Sequence, residues 1–147
     1  MKLSTRGRYS ARALLDLALH CGKGPVLLAD IAKRQQISGR YLGQLMAPLM
    51  AAGLVKSARG ARGGFTLARP PSEIRLSEIV QASEGSMAPV ECVDDFSACP
   101  RASLCVTREV WAEMKRAMNE VLESTTLQEL MERQRGKGET EGIMYSI

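Results

Sequence analysis

Gln36-Ile37-Ser38-Gly39-Arg40-Tyr41-Leu42-Gly43-Gln44 is the stretch on which the fold of this 147-residue chain turns. A tight turn over Gln36-Ile37-Ser38 should end in Ser38 as a helix N-cap, because its hydroxyl can accept from an unsatisfied N–H of the turn that follows. The helix started there is expected from about Gly39 to Ala52, with Leu42, Leu45, Met46, Leu49 and Met50 on its buried side. Gly53 stops it in a position suited to a left-handed cap. Pro48 lies inside and frees the carbonyl of Gln44, so a bend is expected. Just before the turn, Leu28 to Gln35 reads as a shorter helix with Ile31 and Ala32 inward.

Working outward, residues 7–20 read as a first helix, with Ala11, Leu14, Leu15 and Ala18 on one stripe and Gly22-Lys23-Gly24-Pro25 breaking it. Downstream, Leu54 to Ala58 and Phe65 to Ala68 read as two short strands. They flank Arg59-Gly60-Ala61-Arg62-Gly63-Gly64, a glycine-rich hairpin tip. Ile74 to Ser83 reads as another short helix, with Leu76, Ile79 and Val80 apolar. Met87 to Leu104 lacks periodicity, Val106 to Glu123 is a long helix and Thr126 to Arg133 a last short one. The fold class is mainly α with a small β-hairpin wing. The organisation is a DNA-binding unit over 1–84, a cysteine-bearing loop over 85–105, helices over 106–134 and a mobile polar tail over 135–147.

Two short helices joined by a tight turn and followed by a hairpin make a winged helix-turn-helix. Its chemistry needs polar side chains at the exposed start of the second helix. Ser38, Arg40, Tyr41 and Gln44 stand there: Arg40 suits guanine or phosphate, Gln44 adenine, and Tyr41 a phosphate or sugar edge. At the hairpin tip, glycines allow close approach, and Arg59 and Arg62 supply charge for a narrow minor groove or the backbone. A nucleotide cradle would need Gly-Lys-Ser/Thr opening a helix, whereas here a strand follows.

Charge agrees with that assignment. Residues 1–69 carry twelve Lys or Arg against Asp16 and Asp30, a net +10, while residues 70–147 carry eight against fourteen acidic residues, a net −6. One half faces a polyanion and the other does not. Apolar residues make up 45% of the chain and aromatics only 4%, so the core is expected to be aliphatic. No apolar run approaches the roughly 20 residues that span a bilayer. The opening Met1-Lys2-Leu3-Ser4-Thr5-Arg6 lacks an export signal's apolar stretch, so no membrane association and a cytoplasmic location are expected. One histidine and no nucleophile paired with a base leave no catalytic set, so the chain is read as not an enzyme.

Cys92, Cys99 and Cys105 follow a Cys-x6-Cys-x5-Cys spacing. In a reducing compartment, disulfides fall away as an explanation. Thiolates on a flexible loop can converge on one inorganic centre, and the spacing is wider than zinc pairs favour. Spacing alone leaves three readings open: a metal or cluster site, a thiol switch, or structural cysteines. Cys21 reads as a packing residue and His20 as a helix-end residue. After the loop, Val110, Met114, Ala117, Val121 and Leu122 share one helix face, either core or partner-facing, widened by Trp111 and Met118.

Lys2-Leu3-Ser4-Thr5-Arg6-Gly7-Arg8-Tyr9, Ile37-Ser38 to Tyr41-Leu42, Gly53-Leu54-Val55 and Arg59-Gly60 to Gly63-Gly64-Phe65 together resemble the Rrf family of transcription regulators, and within it the IscR-like iron–sulfur sensors. The likeness spans about residues 1–130 in consistent order. It implies a homodimer on approximately palindromic double-stranded DNA, with the long helix as an antiparallel dimerisation element. It also implies Arg59 as the minor-groove wing arginine, Arg40 and Tyr41 at recognition positions, and an iron–sulfur cluster on Cys92, Cys99 and Cys105, with 2Fe–2S ahead of 4Fe–4S. Two positions depart from the pattern. Gly43 stands where the IscR-like proteins have a glutamate that tunes sequence choice. Arg108 stands where they have a histidine ligand, and Arg8 and Arg12 are no substitute from a partner's first helix. Glu91, Asp94, Asp95, Glu109 or water is left to complete the site. The expected function is a regulator whose operator affinity answers to that cluster; alternatives are a cluster-free thiol or metabolite sensor and, from another class, a small electron-transfer protein. Neither the +10 half nor the arginine wing has a use in electron transfer.

Overall fold

A computed structural model describes residues 2–61 and 63–146, with side chains described as far as Gly138; Met1, Arg62 and Ile147 lie outside the described residues. The helices are α1 (Thr5–Leu19), α2 (Leu28–Gln35), α3 (Gly39–Ala51), α4 (Leu76–Glu84), α5 (Glu91–Asp94), α6 (Val106–Ser124) and α7 (Leu127–Ser146). Between α3 and α4, β1 (Val55–Ala58) pairs antiparallel with β2 (Gly64–Leu67), placing Val55 opposite Leu67 and Ser57 opposite Phe65.

Local signals set the helix-turn-helix. The Ser38 hydroxyl accepts from Tyr41 N–H at 3.1 Å and starts α3. Before it, Gln36 holds a left-handed conformation at φ 55°, and Ile37 N–H returns to the Ala32 carbonyl at 3.0 Å, which closes α2 and turns the chain. Gly53 adopts φ 74° and Leu54 N–H reaches back to the Leu49 carbonyl, so the end of α3 is satisfied. The helix continues through Pro48.

One aliphatic core joins these pieces. Leu14 and Leu17 of α1, Ile31 of α2, Leu42, Leu45, Met46 and Leu49 of α3, and Ile79 of α4 lie in one buried cluster. Met50, expected inside, is 37% exposed, because its place on α3 falls beyond the face covered by α1 and α4. Ala11, Leu15 and Leu76 pack against the cluster only half-buried.

The cluster does not stop at residue 84, because Leu127 and Met131 of α7 belong to it. A short antiparallel bridge between Arg75 and Thr126 brings α7 back, with Leu76 N–H on the Thr125 carbonyl at 2.8 Å and Leu127 N–H on the Ile74 carbonyl at 2.9 Å. The last helix is therefore longer than the expected Thr126–Arg133. Helical backbone continues through Ser146, over most of the segment expected to be a mobile polar tail. Its first turns are anchored in the core, and a nucleated helix propagates with little further cost.

Beside this core stands α6, 19 residues long and without a buried residue. Among the described residues no helix is long and apolar enough to cross a membrane.

Candidate nucleic-acid interface and cysteine loop

The start of α3 and the hairpin tip are the parts of the basic half expected to meet DNA. Ser38, Arg40 and Gln44 are exposed, and Tyr41 is half-buried. Tyr41 is less free than its sequence reading implied. Its hydroxyl shares a 3.0 Å hydrogen bond with Thr5 of α1, and its ring meets that of Tyr9 edge-on at 6.1 Å between centroids. The residue thus braces the start of α1 against the start of α3. Arg8 and Arg12 lie over the Tyr9 ring at 5.9 and 5.3 Å, adding two cations to the same side.

Packing explains the wing's glycines. Gly64 has φ 142°, and a side chain there would run into the Val26 carbonyl oxygen. That close approach exists because Val26 exchanges two backbone hydrogen bonds with Phe65, at 2.8 and 2.9 Å, adding a third short strand piece to the hairpin. A Cβ on Gly63 would meet the Ala58 carbonyl at 2.6 Å. Arg59 is exposed beside Gly60, which has φ 98°; Arg62, its expected companion, lies outside the described residues. Gly43 has no such reason to be glycine: a Cβ there would meet only Leu28 Cδ2, at an ordinary 3.7 Å.

Behind this face, α1 and α2 are held by a buried carboxylate that sequence reading passed over. Asp16 is 2% exposed and accepts two hydrogen bonds from Arg34, Nε at 2.9 Å and Nη2 at 2.7 Å, and a third from Gln35 at 3.0 Å. Burial pushes the Asp16 carboxyl up, but the Arg34 and Gln35 hydrogen bonds outweigh it and hold it below the ordinary 3.8. Arg12 donates to the Gln35 side chain and carbonyl, so α1 grips the end of α2 twice. One signal was available: Asp16 is one of only two acidic residues in the basic half.

The three loop cysteines lie on separate short turns. Cys92 is in α5, Cys99 closes the single turn Phe96–Ala98, and Cys105 is the N-cap of α6. All are free and half-buried. Among the described residues no three Cys, His, Asp or Glu side chains converge at metal-binding distance. The donor chemistry nonetheless fits a soft metal centre, with three thiols on one loop and Cys105 already primed. A hydrogen bond with Thr107, the Arg108 N–H at the α6 N-terminus and the charge of Arg101 draw the Cys105 thiol below its ordinary 9.0.

Helix α6 clamps this loop with two cations seven residues apart. Arg108 Nε donates to the Cys92 carbonyl at 2.8 Å, and its guanidinium lies over the Phe96 ring at 4.8 Å. Lys115 pairs with Asp94 at 2.5 Å. Of the carboxylates named as possible fourth ligands, Asp94 is thus held by Lys115, and Asp95 accepts from both the backbone and the hydroxyl of Ser97. Glu91 and Glu109 are exposed.

A helix-turn-helix with a two-stranded wing and a basic outer face defines a winged helix-turn-helix DNA-binding transcription regulator. A family profile described as "Rrf2: Iron-dependent Transcriptional regulator" matches residues 3–133, and the chain belongs to that family. It is 45% identical over 131 residues to Protein rrf2 of Nitratidesulfovibrio vulgaris, covering 89% of this chain and 87% of that one. Against the regulator CymR of Bacillus subtilis it is 41% identical over 147 residues, the whole of both. The structure of that protein, called the global cysteine regulator of its organism, matches with a TM-score of 0.76 over 90% of this chain and 98% of that chain. The structure of T. potens IscR matches with a TM-score of 0.75 at 42% identity, over 91% of this chain and 88% of that one.

Proposed function

We propose that this chain is a homodimeric regulator whose affinity for an approximately palindromic operator is set by an iron–sulfur cluster on Cys92, Cys99 and Cys105, as 2Fe–2S in preference to 4Fe–4S. The observation that carries the reading is the pairing, in one chain, of an exposed basic face with a three-thiol loop clamped onto α6. When bound, the cluster supplies a redox- and oxygen-responsive centre. The protein's own residues do the rest. Arg40 and Gln44 address base edges in the major groove, Arg59 enters or flanks the minor groove with Arg62, and Ser38 and Tyr41 position the helix start. Arg108 and Lys115 tie the loop to α6, whose outward side carries Val106, Val110 and Val121 at 71%, 49% and 64% exposure. An unpartnered apolar stripe of that kind fits the same helix of a second copy, which would set two recognition helices about one DNA turn apart.

The test is anaerobic purification, with visible spectrum and iron and sulfide content, followed by binding to a duplex selected from a random library by the wild-type protein. A chromophore that changes duplex affinity on removal is expected; a colourless protein without iron or sulfide sinks the cluster. Arg59→Ala should weaken the selected duplex by about 1–3 kcal/mol and leave non-specific DNA much less affected. Equal losses on both would remove Arg59 from specific readout.

A second reading has its own support. The three thiols are free and separately placed, and Cys105 is biased towards thiolate. Those features suit direct thiol chemistry without a cluster, and the whole-length likeness to a cysteine regulator favours the same alternative. Duplex affinity that follows oxidant in an iron-free protein would select it.

A further inference from the structure

At the base of the cysteine loop, one side chain reaches across to the first turn of α1. Glu84 is the last residue of α4, and Gly85, with φ 76°, turns the chain from it into the loop. Its carboxylate does not face solvent alone. Oε1 accepts from Ser4 N–H at 2.9 Å, from Gly7 N–H at 3.0 Å and from the Ser4 hydroxyl. A residue 77 positions away in sequence thereby satisfies the Gly7 N–H, one of those that the first turn of α1 leaves open. Gly7 is fitted to this: a Cβ there would meet Glu84 Oε1 at 2.7 Å and Cγ at 3.0 Å. The hydrogen bonds from Ser4 and Gly7 keep the Glu84 carboxyl below its ordinary 4.5, with Arg6 adding to the effect. The same first turn of α1 carries Thr5, whose hydroxyl meets that of Tyr41, and one turn on comes Tyr9 against the Tyr41 ring.

We infer that Glu84 is a positioning residue that couples the base of the cysteine loop to the DNA-facing start of α3, through the first turn of α1 and Tyr41. The link is short: loop base, Glu84, Ser4 and Gly7, Thr5 and Tyr9, Tyr41. If the loop reorders at Gly85, the carboxylate at the preceding residue shifts with it, and α1 must move or lose its acceptor. This inference rests on the reading above that the loop changes state. It goes further by naming the residue that carries the change.

The test compares the full-length protein with Glu84→Ala and Glu84→Gln, the second retaining a hydrogen-bond acceptor in case the first fails to fold. The selected duplex is titrated against reconstituted and iron-free protein. The wild type is expected to show a ratio of affinities in the range of about 5–150-fold usual for allosteric coupling. In Glu84→Ala the ratio should fall to within about twofold of one, with Glu84→Gln between. A variant that loses affinity equally in both states, leaving the ratio intact, overturns the coupling and leaves Glu84 a structural cap. Should the wild-type ratio itself be one, the cluster reading fails and amide hydrogen exchange decides the latch. Arg108→Ala, which releases the Cys92 carbonyl, should then speed exchange over residues 4–9 and 38–44. The same change should add less there in a Glu84→Gln background, where the coupling is weakened. Equal increments in both backgrounds overturn it.

Discussion

The helix-turn-helix unit and the cysteine loop are built by opposite means. In the first, Leu14, Ile31, Leu42, Leu49 and Leu54 have no exposed surface, and Asp16 is satisfied by three hydrogen bonds. In the second, only Ala102 is buried, Phe96 and Leu104 are 55% and 88% exposed, and order comes from Arg108, Lys115 and side-chain caps such as Asp95. Burial fixes one arrangement. Exposed ion pairs and single turns, each of small net energy, allow several. A DNA reader needs the former, and the sensing proposed for the loop would need the latter.

The largest expected effect breaks the reader from its C-terminal end. Leu127 is fully buried in the core cluster, where α7 packs on α1, so Leu127→Ala should cost about 2–5 kcal/mol in urea-unfolding free energy. A loss under 1 kcal/mol would show that α7 is an appendage and not part of the core. Next is Arg34→Ala, which leaves the Asp16 carboxylate buried with Gln35 alone as strong donor. Removing one partner of a buried pair costs about 3–5 kcal/mol, and the 38% exposure of the Arg34 side chain places this case at about 3. The pH dependence gives the sign. Asp16 in the folded state lies below 3.8, so the pair's contribution is complete above the unfolded value and is lost as pH falls through the folded one. The gap between wild type and variant should therefore narrow on acidification below about pH 4; a gap constant with pH would remove Asp16 as the cause. Smaller still, Ser38→Ala removes the α3 cap and should cost about 1 kcal/mol of stability.

These same residues show what sequence could and could not reveal. Ser38, Gly53 and the wing glycines were legible because each acts through its own backbone: a cap, a positive φ, a close approach. Helix α2 was bounded correctly as Leu28–Gln35, although neither end carries a side-chain cap. Gln36 was not recognised as left-handed, since nothing in glutamine marks it and the turn imposes the conformation. The length of α7 was missed because Gly136 and Gly138 lower helix propensity by about 1 kcal/mol each relative to alanine, whereas the burial of Leu127 and Met131 that anchors the helix is a contact made across the whole chain. Of the candidate site, the cysteine spacing and Arg59 were readable locally. The Arg108 clamp and the grip of Glu84 on Ser4 and Gly7 were not, because both join residues distant in sequence.

The smallest expected effect sharpens the contrast most. Leu104 has the same side chain as Leu127 but is 88% exposed, one residue before Cys105 and close to the outward apolar stripe of α6. In a single chain, Leu104→Ser removes almost no buried apolar area, so unfolding stability at low protein concentration should change by less than about 0.5 kcal/mol. A second copy placed on α6 would cover Val106 and Val110 and reach the adjoining Leu104. The cost should then appear only in assembly, as a weaker dimer measured by sedimentation at several concentrations. A loss of stability independent of concentration would contradict this, and would mean that the loop packs against its own chain as the reader does. An unchanged dimer would place Leu104 outside the interface and leave the stripe of α6 to hold the two copies alone.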